Sequence, residues 1–210
     1  MTKGKYIEQV LLRMNEASHE GITSVFGSDT TNVPTFIINT FGEVWRRIVE
    51  ILPVHYFPQK SFTNPTPDLD RGIGTLLIPE DFEKFASLQM KGWKKPVLEA
   101  VFNTDYVAEL QANENTRGSW IRPVVVIENM TTTLTYYSLP RWYESHEIQS
   151  GFYIPKATLP TTDTDQITIG TKTIEGKYAE PLMWLHAAII FDIFGKTDYS
   201  KICKENILNK

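Results

Sequence analysis

The side chains able to do chemistry are dispersed along this chain. Four histidines, His19, His55, His146 and His186, stand far apart. None belongs to an HExxH pair or to another spacing that would set two imidazoles around a zinc ion. The single cysteine, Cys203, excludes an intramolecular disulfide and a cysteine-rich metal site. It is expected as a small core or interface residue in a protein assembled in a reducing compartment. Glu80, Asp81 and Glu83 offer paired carboxylates. Behind Pro79, however, they sit where acidic groups balance the dipole of a starting helix. Asp68, Asp70 and Glu80 lack the regular spacing and terminal Glu of a calcium loop. The segment Arg71-Gly72-Ile73-Gly74 is a short turn before a strand, and neither GxGxxG, GxxxxGK[ST] nor GxSxG occurs. Trp142 and Tyr143 beside Arg141 have the chemistry to stack on a sugar or base, although a buried corner at a strand end accounts for them as well. The expectation is therefore no catalytic, cofactor or metal site, and a protein that is not an enzyme.

Composition agrees with a folded protein whose surface is not built to grip nucleic acid. The chain has 210 residues, 41% hydrophobic and 22% charged, and a domain of this size buries roughly 70% of its unfolded surface. A net charge of -4 and a pI near 5.6 oppose phosphate neutralisation, which needs clustered Lys and Arg. The densest basic group, Lys91, Lys94 and Lys95, reads as a solvated strand edge. The polar start of the chain predicts no signal peptide. The longest apolar run, 181–194, is shorter than the roughly 20 residues that a bilayer requires, so no membrane span is expected.

These side chains are positioned by three blocks of differing periodicity. Ile7, Val10, Leu11, Met14 and Ala17 predict a helix over 4–19 with Gly21 as its stop, and Pro34 opens a second over 34–52 with Ile37, Phe41, Val44 and Ile48 on one face. From Val54 to about Lys177 short β-branched and aromatic runs alternate with Gly, Pro, Asn and Asp. They predict strands at 55–62, 74–78, 89–102, 121–127, 132–138, 151–154 and 166–174, with Asn129 in a hairpin and short helices at 79–87 and 104–112. Helices return at 181–194, with Gly195 past its end, and at 198–208 with Thr197 as cap. The fold class is α+β. Residues 1–53 and 179–210 form a helical bundle in which the first and last helices pack together, and 54–178 form a large, mainly antiparallel β insertion. The helix over 181–194 has almost no polar face, so it must be covered all round. It is either the centre of the bundle or shared with a neighbouring subunit.

The order of these elements resembles the head-to-tail connector, or adaptor, proteins that form a ring beneath the portal of short-tailed phages, including the tail-tubular type. Three places carry the likeness. One is the paired first helices, with Leu11, Leu12 and Asn15-Glu16-Ala17, then Phe41, Trp45, Arg46 and Ile51-Leu52-Pro53. Another runs from Leu76 through Pro79-Glu80-Asp81-Phe82 to Phe85 and on to Gly92-Trp93-Lys94-Lys95-Pro96-Val97. The third is Ala187-Ala188-Ile189-Ile190-Phe191 to Gly195 with the polar helix that follows. The overall pattern is also similar to connectors of crAss-like gut phages, while 113–178 matches only as generic strands.

The resemblance implies a structural virion protein at the head–tail junction, assembled in the host cytoplasm. It implies a homo-oligomeric ring, commonly a dodecamer, that meets the portal protein and further tail proteins and lets DNA pass without sequence-specific binding. It needs no cofactor. It also implies C-terminal contacts with the portal or a neighbouring subunit, for which Tyr199, Ile202, Cys203, Ile207 and Leu208 are the candidate residues; the alternative is that this face only caps the chain's own bundle. The polar loop 23–32, with Asp29, Thr30 and Asn32, is the second candidate contact. Two other classes stay open: a β-sandwich or fibre-associated module recognising a glycan or protein, and an enzyme whose dispersed titratable groups meet in a pocket.

Overall fold

The structure is a computed structural model that describes residues 1–18, 33–63, 65–68, 71–128, 132–139, 147–174 and 176–208. It is a mixed α+β protein with helices at both ends and the longer strands between them. Two compact units divide the chain: one comprises 1–58 and 156–210, the other 59–155.

In the discontinuous unit, α1 (Lys3–Ser18), α2 (Val33–Ile51), α4 (Ala179–Ile193) and α5 (Thr197–Leu208) form the bundle. Twelve of the fifteen residues of α4 are buried, and α1, α2 and α5 all pack against it. The helix without a polar face is thus the axis of its own bundle. The first and last helices, α1 and α5, also touch.

One polar chain runs through this apolar centre. Tyr6 of α1 lies 2.8 Å from His186 Nδ1, and Thr40 of α2 lies 2.9 Å from His186 Nε2. Thr40 donates its only hydroxyl proton to the Phe36 carbonyl at 2.7 Å, so its oxygen must accept from Nε2–H, and Nδ1 must accept from the Tyr6 hydroxyl. The imidazole is therefore the neutral Nε2–H tautomer. Burial holds His186 down to about 3, against a weaker opposing hydrogen bond to the Ile37 backbone, and pushes the Tyr6 phenol well above its ordinary value.

The end of α4 is a Schellman turn. Gly195, at φ 70°, donates to the Asp192 carbonyl at 3.1 Å, and Lys196 donates to the Phe191 carbonyl at 2.8 Å. Lys204 of α5 then reaches back to Asp192 at 2.8 Å. The same unit includes a small sheet in the order β11-β10-β9, built from β9 (Ala157–Thr158), β10 (Thr168–Ile169) and β11 (Lys172–Thr173). Thr2 bridges Gln166, and Ile167 donates to the Met1 carbonyl. These bonds tie 156–178, which sequence periodicity places in the insertion, to the start of α1, and that segment falls in the same unit as the helices.

The continuous unit has two sheets. One has the order β1-β8-β4, from β1 (Lys60–Ser61), β4 (Phe82–Met90) and β8 (Ile148–Pro155). The other has the order β2-β3-β7-β6-β5, from β2 (Thr66–Asp68), β3 (Ile73–Leu77), β5 (Val101–Phe102), β6 (Val124–Ile127) and β7 (Thr133–Tyr137). All pairs are antiparallel except β5 with β6. Phe85, Leu88, Met90 and Tyr153 from the first sheet share one core with Leu76, Val125, Leu134 and Tyr136 from the second. The remaining helix, α3 (Tyr106–Leu110), is shorter than the expected 104–112.

The expected helix over 79–87 is a strand. Pro79 to Asp81 do make a turn, closed by Phe82 donating to the Pro79 carbonyl, but β4 follows at once and pairs with β8. Phe82, Phe85 and Leu88 recur every third residue, which reads as helical. Register shifts between Phe82 and Lys84 and between Phe85 and Ser87 reconcile that spacing with a strand, because a bulge resets which face a residue takes. Phe82 and Phe85 therefore both reach Phe62, at ring-centroid distances of 6.3 and 6.1 Å. The expected continuous strand over 89–102 is broken at Gly92, whose φ of 92° turns the chain so that Val97 bridges back to Leu88. The expected strand over 55–62 is a 3₁₀ turn at Val54–Tyr56 followed by two-residue β1. The run over 166–174 is the hairpin of β10 and β11. Asn129 lies outside the described residues, although the two strands it was expected to join do pair.

The depressed His186 fixes the sign of one pH dependence. Between about 3 and 6.5 the unfolded chain binds a proton that the folded chain refuses, so the stabilisation is full above the ordinary histidine value and is lost as pH falls toward 3. The slope contributed in that window is at most about 1.4 kcal/mol per pH unit. Urea midpoints measured from pH 7 to pH 4 should fall for the parent chain, and His186→Gln should remove this part of the slope while lowering stability at pH 7.

Candidate interaction surface

Among the described residues, no three His, Cys, Asp or Glu side chains are placed to hold a metal ion. Among the residues singled out for chemistry, Asp81 and the glycines of the short turn have partners within the fold. Asp81 accepts from Lys60 Nζ at 2.5 Å and from the Tyr153 hydroxyl at 2.9 Å, which ties β1 and β8 to the turn before β4. Burial acts to raise its carboxyl, yet the hydrogen bonds from Lys60 and Tyr153 together hold it below the usual carboxylate value. Its role is that of a clamp. Glu80 lies within this turn and Glu83 on β4, so neither opens a helix.

Gly72 and Gly74 of the short glycine turn are explained by geometry. Gly72 has φ 68°, and its carbonyl accepts from the backbone of Ser138 and Leu139. Gly74 pairs across the sheet with Tyr136, and a Cβ there would stand 2.3 Å from the tyrosine ring and hydroxyl. Tyr136 is wholly buried with its hydroxyl unpartnered among the described residues, and burial pushes that phenol up to about 12. Trp93 is also buried and donates from Nε1 to the Ser138 carbonyl at 3.1 Å. In the basic group, Lys91 is ion-paired with Glu147, while Lys94 and Lys95 are exposed.

The C-terminal candidates divide by burial. Cys203 and Ile207 are buried in the chain's own bundle, so they are not an exposed partner face. Helix α5 docks through them because an isolated helix of its length is marginal in water. Burial, with the Asp192 charge beside it, pushes the Cys203 thiol up to about 12, which leaves little thiolate at neutral pH. Tyr199 is half-buried with its ring 5.4 Å from Phe191, and Ile202 is exposed. The side chain of Leu208 lies outside the described residues. So do Asp29, Thr30 and Asn32 with the whole loop 23–32, Asp70, His19, His146, and the group Arg141, Trp142 and Tyr143.

Sequence reasoning missed the most exposed apolar group. Leu98 is 69% exposed, Phe102 52% and Tyr106 71%, and Val107 is exposed beside them in sequence. Phe102 lies on β5, an edge strand of the five-stranded sheet, Leu98 precedes that strand in the chain, and Tyr106 and Val107 lie on α3, which packs on it. At the opposite edge of that sheet, β2 is exposed along its length. Read as the end of one long strand, 98–102 gave no hint of this edge. No helix among the described residues is long and apolar enough to cross a membrane.

Two measurements check this account. Gly74→Ala should cost more than 2 kcal/mol, on the order expected for overpacking a closed core, whereas Tyr136→Phe should change stability by less than about 1 kcal/mol because it removes an unpaired buried hydroxyl. Chemical denaturation of both variants measures this. Cys203 should resist a thiol-specific disulfide reagent in the native protein and react at once in denaturant. Comparison with known proteins finds no family model and no curated protein that matches this chain.

Proposed function

We propose that this chain is a structural subunit of a closed connector ring at the head–tail junction of a short-tailed phage virion, that it meets the portal and the tail, and that it carries out no chemical step. The observation that carries the reading is the concentration of exposed apolar side chains at one edge of the β unit, Leu98, Phe102, Tyr106 and Val107. Apolar surface of this kind marks a place that another protein covers. A ring is closed by a head-to-tail contact between two different surfaces of one subunit. The β5 edge and the exposed β2 edge, at opposite ends of one sheet, are two such surfaces. The motif resemblance supports the same role. A net charge of -4 suits a channel wall along which DNA slides without adhering. Closed rings of about a dozen copies, built in the host cytoplasm and retained in the virion, follow from this reading.

Electron microscopy and mass measurement of the purified particle should find many copies in a closed ring beneath the portal, and one or two copies per particle would overturn the proposal. The double substitution Phe102→Glu with Tyr106→Glu, at exposed positions, should leave the fold intact by circular dichroism and abolish incorporation into particles. Normal incorporation would remove the β5 edge from the interface.

A further inference from the structure

We infer that Asp105 is an edge guard: it engages both outward main-chain groups of β5, and together with Pro67 at the opposite edge it closes the five-stranded sheet to strand addition by a second copy of this chain. The inference concerns the β unit alone and holds whether or not copies meet in a ring.

Strand β5 has two residues and pairs in parallel with β6, Val101 with Val126 and Phe102 with Ile127. Asn103 donates to the Ile127 carbonyl at 3.1 Å. Alternate residues of a strand face the same neighbour, so Val101 and Asn103 turn their backbone groups to β6 and Phe102 turns its own away from it. The outward N–H of Phe102 donates to Asp105 Oδ2 at 2.9 Å, and the outward Phe102 carbonyl accepts from the Asp105 N–H at 2.9 Å. One residue therefore takes up both groups through which another strand would pair with β5.

The direction of that carboxylate sets Asp105 apart from an ordinary cap. It stands immediately before α3, where an aspartate normally accepts from the first N–H groups of the helix. Its side chain makes no such bond, while its carbonyl accepts from Ala108 and Glu109. The main chain starts the helix, and the carboxylate turns back onto the sheet edge.

The opposite edge is closed by a different device. Ser138 donates to the Gly72 carbonyl and Ile78 to the Thr132 carbonyl, so the even-numbered residues of β3 face β7 and the odd-numbered ones face β2. Thr66 with Thr75 and Asp68 with Ile73 are then the hydrogen-bonded pairs of β2 and β3. Pro67, opposite Gly74, turns its nitrogen outward, where proline has no proton to give. Such guarding has a purpose here. An edge that carries exposed apolar side chains is a template for aggregation unless its backbone is blunted, and Phe102 on β5 and Tyr106 beside it are both exposed.

The test reads the Phe102 amide and the association of the full chain with itself. Hydrogen exchange followed by nuclear magnetic resonance should find the Phe102 N–H protected in the parent chain. Asp105→Ala should speed its exchange by about tenfold or more, the scale of one bond to a charged acceptor, and Asp105→Asn, which keeps an acceptor oxygen, should stay close to the parent. The double substitution Asp105→Ala with Pro67→Thr restores an outward donor at both edges, and it should give assemblies that bind thioflavin T at concentrations where the parent gives none. Glu109→Ala removes an exposed carboxylate from the same segment without touching β5, and it should behave as the parent. A Phe102 amide that exchanges in the parent as fast as a free one, a double variant that stays as dispersed as the parent, or equal association of Glu109→Ala would each overturn the inference. The exchange measurement on the parent needs no substitution, and it stands even where a variant fails to fold by circular dichroism.

Discussion

The helical unit depends on a hydrogen-bonded line from Tyr6 through His186 and Thr40 to the carbonyl of Phe36, which crosses three helices inside an otherwise apolar core. Dispersion and apolar burial hold α4 in place without choosing its rotation, because a helix buried on all sides is nearly indifferent to turning about its axis. A buried imidazole with both nitrogens satisfied removes that freedom, since any other rotation would strand polar groups in a dry interior. The neutral tautomer is the form that this line can satisfy.

The β unit solves a related problem of specification by strand irregularity. β4 carries aromatic residues at a spacing of three and apolar residues at a spacing of two, and the bulges against β8 let both sets face one core. The Asp81 clamp fixes the start of that pairing from outside, by joining Lys60 and Tyr153. Gly74 then lets the ring of Tyr136 lie flat across the second sheet. Each device sits where regular strand geometry alone would leave the register free to slip.

The helical blocks were legible in the sequence because their apolar spacing is long and strict, and their ends carry Pro and Gly at positions with a physical meaning. Gly195 is the clearest case, since the left-handed turn it forms is what its place after an apolar run announces. The same grammar misled at 79–87, where the acidic first turn is real but the residues after it answer to β8, more than sixty positions away in the chain. No local propensity encodes that partner. The amphipathic spacing of α5 marked the face that it buries, and Cys203 and Ile207 on that face are buried in the chain's own bundle.

The discontinuity of the helical unit sets an order of events during synthesis. Residues 59–155 are complete in themselves and leave the ribosome while α4 is still unmade. Helices α1 and α2 must therefore wait with their apolar faces exposed until the chain has grown past α4, which supplies the surface they bury. Bundle closure then waits for the segment that follows the β unit, and it couples solubility of the nascent chain to the speed with which 156–208 are translated.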